Sequence, residues 1–243
     1  MSRIDVAGSV SGSTPNVVVI GGTGGIGRAI AKYHADRGCK VTITGRDAKR
    51  TAAIAEEIGG DVSGIALDVA EPETIEGALA GLGHVDRLAL VAVERDSNSA
   101  RDYDIARARR IVTMKLIGYT EVAHTLFPRM GAGASAVLFG GLASERPYPG
   151  STSITTVNGA VSSLIRTLAV ELAPVRFNAV HPGIISDSPA WQDKKEAIAN
   201  IEKRTPGGRL ATTADVVGAV DFLFTNKGVN GINLVIDGGW LLT

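Results

Sequence analysis

The chain holds a single cysteine, Cys39, so no disulfide can form within it. This sparing use fits a reducing compartment, and a cytoplasmic protein is expected. Aromatic residues make up 5% of the sequence, which leaves few stacking platforms for bases. An excess of one charge is also missing. Lys plus Arg is 25 and Asp plus Glu is 25, for a formal net charge of zero. A nucleic-acid partner normally requires a basic excess or stripe, so none is expected. No apolar run approaches the roughly 18 residues of a membrane span. The first residues lack the basic start and apolar core of a signal peptide, and no membrane partner is expected. His34, His84 and His124 show no metal-ligand spacing, and His181 reads as structural; no metal is expected.

Glycine, by contrast, is abundant: 30 of 243 residues, well above the usual ~7%. Residues 1–15 are rich in Ser, Gly and Thr without periodicity and read as a mobile tail. From residue 16 onward, short β-branched runs alternate with helical patterns. The runs cover 17–20, 40–44, 62–67, 85–93, 134–139, 175–180 and 232–236. The helical patterns cover 25–37, 48–58, 72–82, 101–130, 152–173, 190–204 and 213–225. Apolar runs with little alternation suit strands covered on both faces. Strand–helix–strand repetition predicts right-handed crossovers and a doubly wound parallel α/β sheet of Rossmann type, one domain over 16–243.

The first strand runs into Gly21-Gly22-Thr23-Gly24-Gly25-Ile26-Gly27 and then a helix. Bare glycines let backbone N–H groups approach a pyrophosphate, and a helix N-terminus adds positive potential. Two registers are open: Gly21, Gly25 and Gly27 fit G-x-x-x-G-x-G, whereas Gly22, Gly24 and Gly27 fit G-x-G-x-x-G. The second strand ends in Gly45-Arg46 where an acid would bind a ribose 2′-hydroxyl. Arg46 can hold a 2′-phosphate with its forked donors, and Arg28 could add charge, so NADP is expected over NAD. A solvated surface charge is the plainer reading of Arg46. Asp47 suits a helix cap. Asp68, ahead of Val69 at the third strand's end, can accept from the adenine amino group or cap the turn at Pro72.

Further along, Leu168 to Gly183, reading LAVELAPVRFNAVHPG, resembles the sixth helix, sixth strand and Pro-Gly turn of the short-chain dehydrogenase/reductase family. Val235-Ile236-Asp237-Gly238-Gly239-Trp240 is similar to that family's terminal strand, and Gly208-Arg209-Leu210 to its lead into the last helix. The resemblance implies seven strands in the order 3-2-1-4-5-6-7, a nicotinamide cofactor, a small-molecule substrate and a homodimer or homotetramer. It also places Ala92, Pro182, Gly183 and Ile185 along the cofactor.

The family works with an Asn, a Ser, and a Tyr followed four residues later by a Lys. Those positions fall here on Lys115, Gly141, Ile154 and Asn158. The resemblance thus brings a cofactor site without the usual proton donor. Lys115 and Asn158 look exchanged, so the ammonium of one and the amide of the other would meet the nicotinamide ribose. The alternative is a lysine pointing to solvent and an ordinary helical asparagine. Tyr148, in the loop after the fifth strand, could replace the missing acid or simply pack. Gly141, Ser144, Tyr148 and Ile154 would border the substrate, and Asp187 and Ser188 lie in the segment covering the nicotinamide. Two functions follow: an NADP-dependent oxidoreductase with an altered proton route, acting on an imine or conjugated alkene, or an inactive nucleotide-binding protein acting through a partner.

Overall fold

The computed structural model describes residues 14–189 and 191–243. The expected mobile tail lies outside the described residues up to residue 13. Its last residue is held, because the Pro15 carbonyl accepts from Lys40 N–H at 3.1 Å.

Seven strands form one sheet: β1 (Asn16–Ile20), β2 (Lys40–Gly45), β3 (Val62–Ala66), β4 (Arg87–Leu90), β5 (Ser135–Phe139), β6 (Arg176–Pro182) and β7 (Asn233–Ile236). The order is β3-β2-β1-β4-β5-β6-β7 and every pairing is parallel. Among the described residues, eight α-helices flank it: α1 (Gly25–Ala35), α2 (Ala48–Ile58), α3 (Ile75–Leu79), α4 (Ile105–Val112), α5 (Tyr119–Leu126), α6 (Thr152–Glu171), α7 (Lys195–Glu202) and α8 (Thr213–Thr225). The strands' lack of polar alternation has a direct cause. Val18 and Ile20 enter a core shared with α5 and α6, while Val17 and Val19 enter a second core shared with α1 and α8. Both faces of β1 are therefore dry.

Several boundaries differ from the sequence-based expectation, each for a local reason. The fourth strand stops at Leu90, because Val91 and Ala92 N–H groups both turn back to the Ile20 carbonyl at 2.9 Å. The helix expected over 101–130 starts at Ile105, where the Asp104 carboxylate caps Arg107 N–H at 3.0 Å. Asn98 clamps Asp104 from both sides, donating to its carbonyl at 2.8 Å and accepting from its N–H at 2.9 Å. Thr113–Gly118 then makes a π-helical turn between α4 and α5. Such turns insert a residue into the helical ladder and often mark functional sites. The helix expected over 72–82 divides into a 3₁₀ turn, Pro72–Thr74, and α3. The pattern over 190–204 shortens to α7. Asp47 caps α2 as expected, accepting from Arg50 N–H at 2.7 Å. Asp187 accepts from Thr213 N–H and Oγ1 at 2.8 and 2.9 Å, so it holds the first residue of α8, whose cap is Thr212.

Among the described residues no helix is long and apolar enough to cross a membrane, and no group of three His, Cys, Asp or Glu could hold a metal ion.

His34, fully buried on α1, gives a stability prediction. Arg87 Nη1 stands 3.3 Å from its Nδ1, so Nδ1 accepts and the proton sits on Nε2, which has no partner. Burial, aided by the Arg87 charge, pulls its pKa down to about 4. The unfolded chain therefore takes up this proton first as pH falls below the ordinary value near 6.5. The expected result is a loss of about 3 kcal/mol in unfolding free energy between pH 7 and 4 from this group. Urea titrations of His34→Gln alongside the parent should show a flatter pH profile in the variant; parallel profiles would contradict the assignment.

Candidate functional site

A cleft of about 540 Å³ opens above the carboxyl ends of the strands. Its centre lies where the strand order reverses, between β1 and β4, the place where open α/β sheets bind ligands. The glycine turn forms this part. Gly21 and Gly25 have φ of +88° and +49°, conformations that a β-carbon disfavours. A β-carbon on Gly27 would strike the Gly21 carbonyl, so α1 packs directly onto the turn. Gly22 is outside the lining, and a β-carbon there would meet Ile43 at 2.7 Å. Gly21, Gly25 and Gly27 all line the cleft, whereas of Gly22, Gly24 and Gly27 only the last two do. Gly24 caps α1 without any side-chain acceptor, leaving the first-turn amides beside Thr23, Gly24 and Ile26, all of which line the cleft. This cradle fits a pyrophosphate.

Charged groups gather at the end formed by β2 and β3. Arg46, Asp68 and Val69 line the cleft, together with Arg50 and Glu94. Arg46 Nη1 donates to Glu94 Oε1 at 2.6 Å. Arg110, on α4, grips the same carboxylate with Nε at 2.8 Å and Nη2 at 2.6 Å. Its Nη2 also reaches Asp68 Oδ2 at 2.9 Å. The Arg110 hydrogen bonds hold the Glu94 carboxyl below its usual range. For Asp68, burial raises the pKa but the Ala70 N–H and Arg110 outweigh it, and the net shift is downward. Asp68 thus caps the turn before Pro72 while still facing the cleft. Arg28 lies outside the lining and pairs with Glu57 at 2.7 Å.

At the opposite end, above β5 and β6, the lining includes Ala92, Lys115, Phe139, Gly140, Pro182, Gly183 and Ile185. Lys115 sits in the π-helical turn and is 2% exposed, so the solvent-pointing alternative is excluded. Its Nζ donates to the Phe139 carbonyl at 2.6 Å and to Tyr119 Oη at 3.0 Å. Tyr119 donates onward to the Ala92 carbonyl at 2.7 Å. Burial pulls the Lys115 pKa down to about 7 and pushes that of Tyr119 up.

The other candidates lie beside this end rather than in its lining. Asn158, buried on α6, stands against Gly141: a β-carbon there would be 2.8 Å from Asn158 Nδ2. No hydrogen bond joins Asn158 to Lys115 among the described residues, so the exchanged pair makes no direct bond. Gly141 N–H donates to His181 Nδ1 at 3.2 Å, and Ser144 Oγ reaches the Gly141 carbonyl at 3.4 Å. Ile154 packs against the core. Tyr148 is 54% exposed. It lies outside the cleft lining. Sequence reading missed Arg50, Glu94, Arg110 and Trp191. Arg50, four residues after Arg46, carried a helical-spacing signal; the others carried none.

The chain matches a protein-family model described as Enoyl-(Acyl carrier protein) reductase over residues 21–241. It is 31% identical to L-xylulose reductase of Bos taurus over 241 residues, covering 93% of this chain and 96% of the relative. Among solved structures, a MalC Reductase/Diels-Alderase from Malbranchea aurantiaca superposes with a TM-score of 0.86 at 25% identity, covering 95% and 97% of the two chains. A short-chain dehydrogenase/reductase, glucose/ribitol dehydrogenase, from Brucella melitensis gives 0.85 at 26% identity, covering 93% and 96%.

Proposed function

Since this chain belongs to the short-chain dehydrogenase/reductase family, we propose that it is an NADP-dependent oxidoreductase whose proton route runs through Lys115. The observation that carries the reading is a buried lysine lining the cleft, with one valence of Nζ left over. Tyr119 spends its own proton on Ala92, so it must accept from Lys115. Two Nζ hydrogens are thereby engaged, on Phe139 and Tyr119. The third position holds a proton or a lone pair. A pKa of about 7 keeps both forms populated at neutral pH, which suits general acid–base work.

NADP, held by the glycine turn, Arg46 and Arg50, would supply or accept the hydride. The protein's own contribution is orientation and a dry floor formed by Phe139 and the Pro182-Gly183 turn. Ile154 and Gly141, aligned with the family's Tyr and Ser, carry no acidic proton. This favours a substrate whose reacting atom needs no strong acid: an imine, which as an iminium becomes a neutral amine on accepting hydride, or a conjugated alkene. Gly141, Ser144, Tyr148 and Ile154 would border such a substrate. Exposed apolar side chains on α4, the π-helical turn and α6, Ile105, Ile117 and Val170, support a homo-oligomer.

The test is NADPH titration followed by stopped-flow mixing with ketone, imine and enone panels. We expect NADPH oxidation with imines or enones and little with ketones. Rapid ketone reduction that disappears in Tyr148→Phe would overturn the Lys115 route, and tight binding with no turnover by any class would favour the nucleotide-binding alternative.

A further inference from the structure

The charged end of the cleft contains an acid where a phosphate is expected. Arg46 is bound by Glu94 at 2.6 Å, although both line the cleft. The two bonds of this carboxylate differ in kind. Arg46 is largely exposed and makes one contact, the sort of ion pair that water and salt weaken most. Arg110 is better buried and makes a two-pronged grip, Nε to Oε2 and Nη2 to Oε1. Forked guanidinium–carboxylate pairs are the stronger class. Arg110 is itself anchored by Asp68, which is tied to Ala70 N–H. Glu94 can therefore release Arg46 and keep a partner, whereas Arg46 can exchange one anion for another.

We infer that Glu94 is a specificity-determining residue, an internal carboxylate that occupies Arg46 until a cofactor 2′-phosphate displaces it, with Arg110 retaining Glu94 after the exchange. The inference rests on the NADP reading and adds a residue that opposes it. A 2′-phosphate must break the Arg46–Glu94 pair and then sit near a carboxylate. A cofactor with a free 2′-hydroxyl leaves the pair intact. Glu94 thus narrows the preference that Arg46 alone would set. Removing its charge changes the local balance of Arg46, Arg50 and Arg110 against Glu94 and Asp68 by one unit in favour of phosphate.

The experiment measures NADPH and NADH dissociation constants by calorimetry in the full chain. Glu94→Gln keeps an oxygen for Arg110 and should tighten NADPH binding about three- to tenfold while NADH moves less than about twofold. In an Arg46→Ala background the Glu94→Gln gain should vanish. Arg110→Gln leaves Glu94 with Arg46 alone; NADPH should weaken, and adding Glu94→Gln should restore it, a rescue that a purely structural Arg110 would not show. Unchanged NADPH affinity in Glu94→Gln overturns the inference. So does selective loss of NADH, which would mean that the carboxylate grips a ribose hydroxyl. The underlying NADP reading fails in a different way: Arg46→Ala would leave NADPH affinity where it was.

Discussion

Arg46→Asp is expected to weaken NADPH binding about ten- to hundredfold while leaving NADH unchanged or tighter, as measured by calorimetry. A hydrogen bond to a charged group contributes roughly 1.5–3 kcal/mol, which converts to that range. The surroundings sharpen the expectation. Arg46 is the guanidinium at the end of β2, and Gly45 beside it has no room for a side chain, since a β-carbon would press on Thr23 and Thr51. The new carboxylate would stand near Glu94, so two acids would face a 2′-phosphate. The same carboxylate would offer an acceptor to a 2′-hydroxyl. Arg50, whose side chain has no hydrogen bond or ion pair among the described residues, retains one positive charge in the cleft. Arg50→Ala is therefore the companion variant. Equal losses of both cofactors in Arg46→Asp would remove Arg46 from the assignment, and a larger selective loss in Arg50→Ala would transfer it there.

A parallel sheet was legible because the inner strands β1, β4, β5 and β6 are apolar and buried on both faces and are joined through helices, whereas its strand order came from the family resemblance carried by residues 168–183. That Gly21, Gly25, Gly27 and Arg46 line the cleft was legible for a related reason: their placement depends on backbone position at a strand end. The charged cluster was not. Glu94 and Arg110 are 16 residues apart across an irregular segment held by Asn98, and nothing in helical spacing aims Arg110 at Asp68. The π-helical turn was hidden as well, since hydrophobic periodicity cannot register one inserted residue. Its placement follows from close packing instead: a β-carbon on Gly118 would meet the Val69 carbonyl. That contact brings the turn, and Lys115 with it, under the cleft. The Arg28–Glu57 pair is another contact that spacing along the chain does not reveal.

Lys115→Met should separate two substrate classes. Met roughly preserves the volume and removes the proton. Reduction of an enone should slow by at least about 100-fold, the lower range for a positioned general acid. An iminium, which needs no proton, should react within a few-fold of the parent rate. In the parent, enone turnover should fall as pH rises through about 7, following loss of the Lys115 proton, and the variant should lack that limb. Stability should respond as well. The folded pKa lies below the ordinary 10.5, so the buried ammonium costs most below pH 7, and that cost fades between 7 and 10.5. The difference in unfolding free energy between Lys115→Met and the parent should therefore move against the variant by about 3–5 kcal/mol over that window. Restoring the family arrangement is the complementary test. Lys115→Asn with Asn158→Lys should recover cofactor binding better than either change alone, with a coupling of about 0.5–3 kcal/mol. Ketone reduction should still be missing, because Ile154 has no proton to give. Adding Ile154→Tyr and Gly141→Ser completes the set, and order matters here: a serine at position 141 would press on the Asn158 amide, 2.8 Å from the new β-carbon. Gly141→Ser alone should thus disturb the site, and it should be better tolerated once position 158 is changed. Parent-like enone rates and pH profile in Lys115→Met, or a strictly additive double exchange, would show that Lys115 is only a buried structural cation.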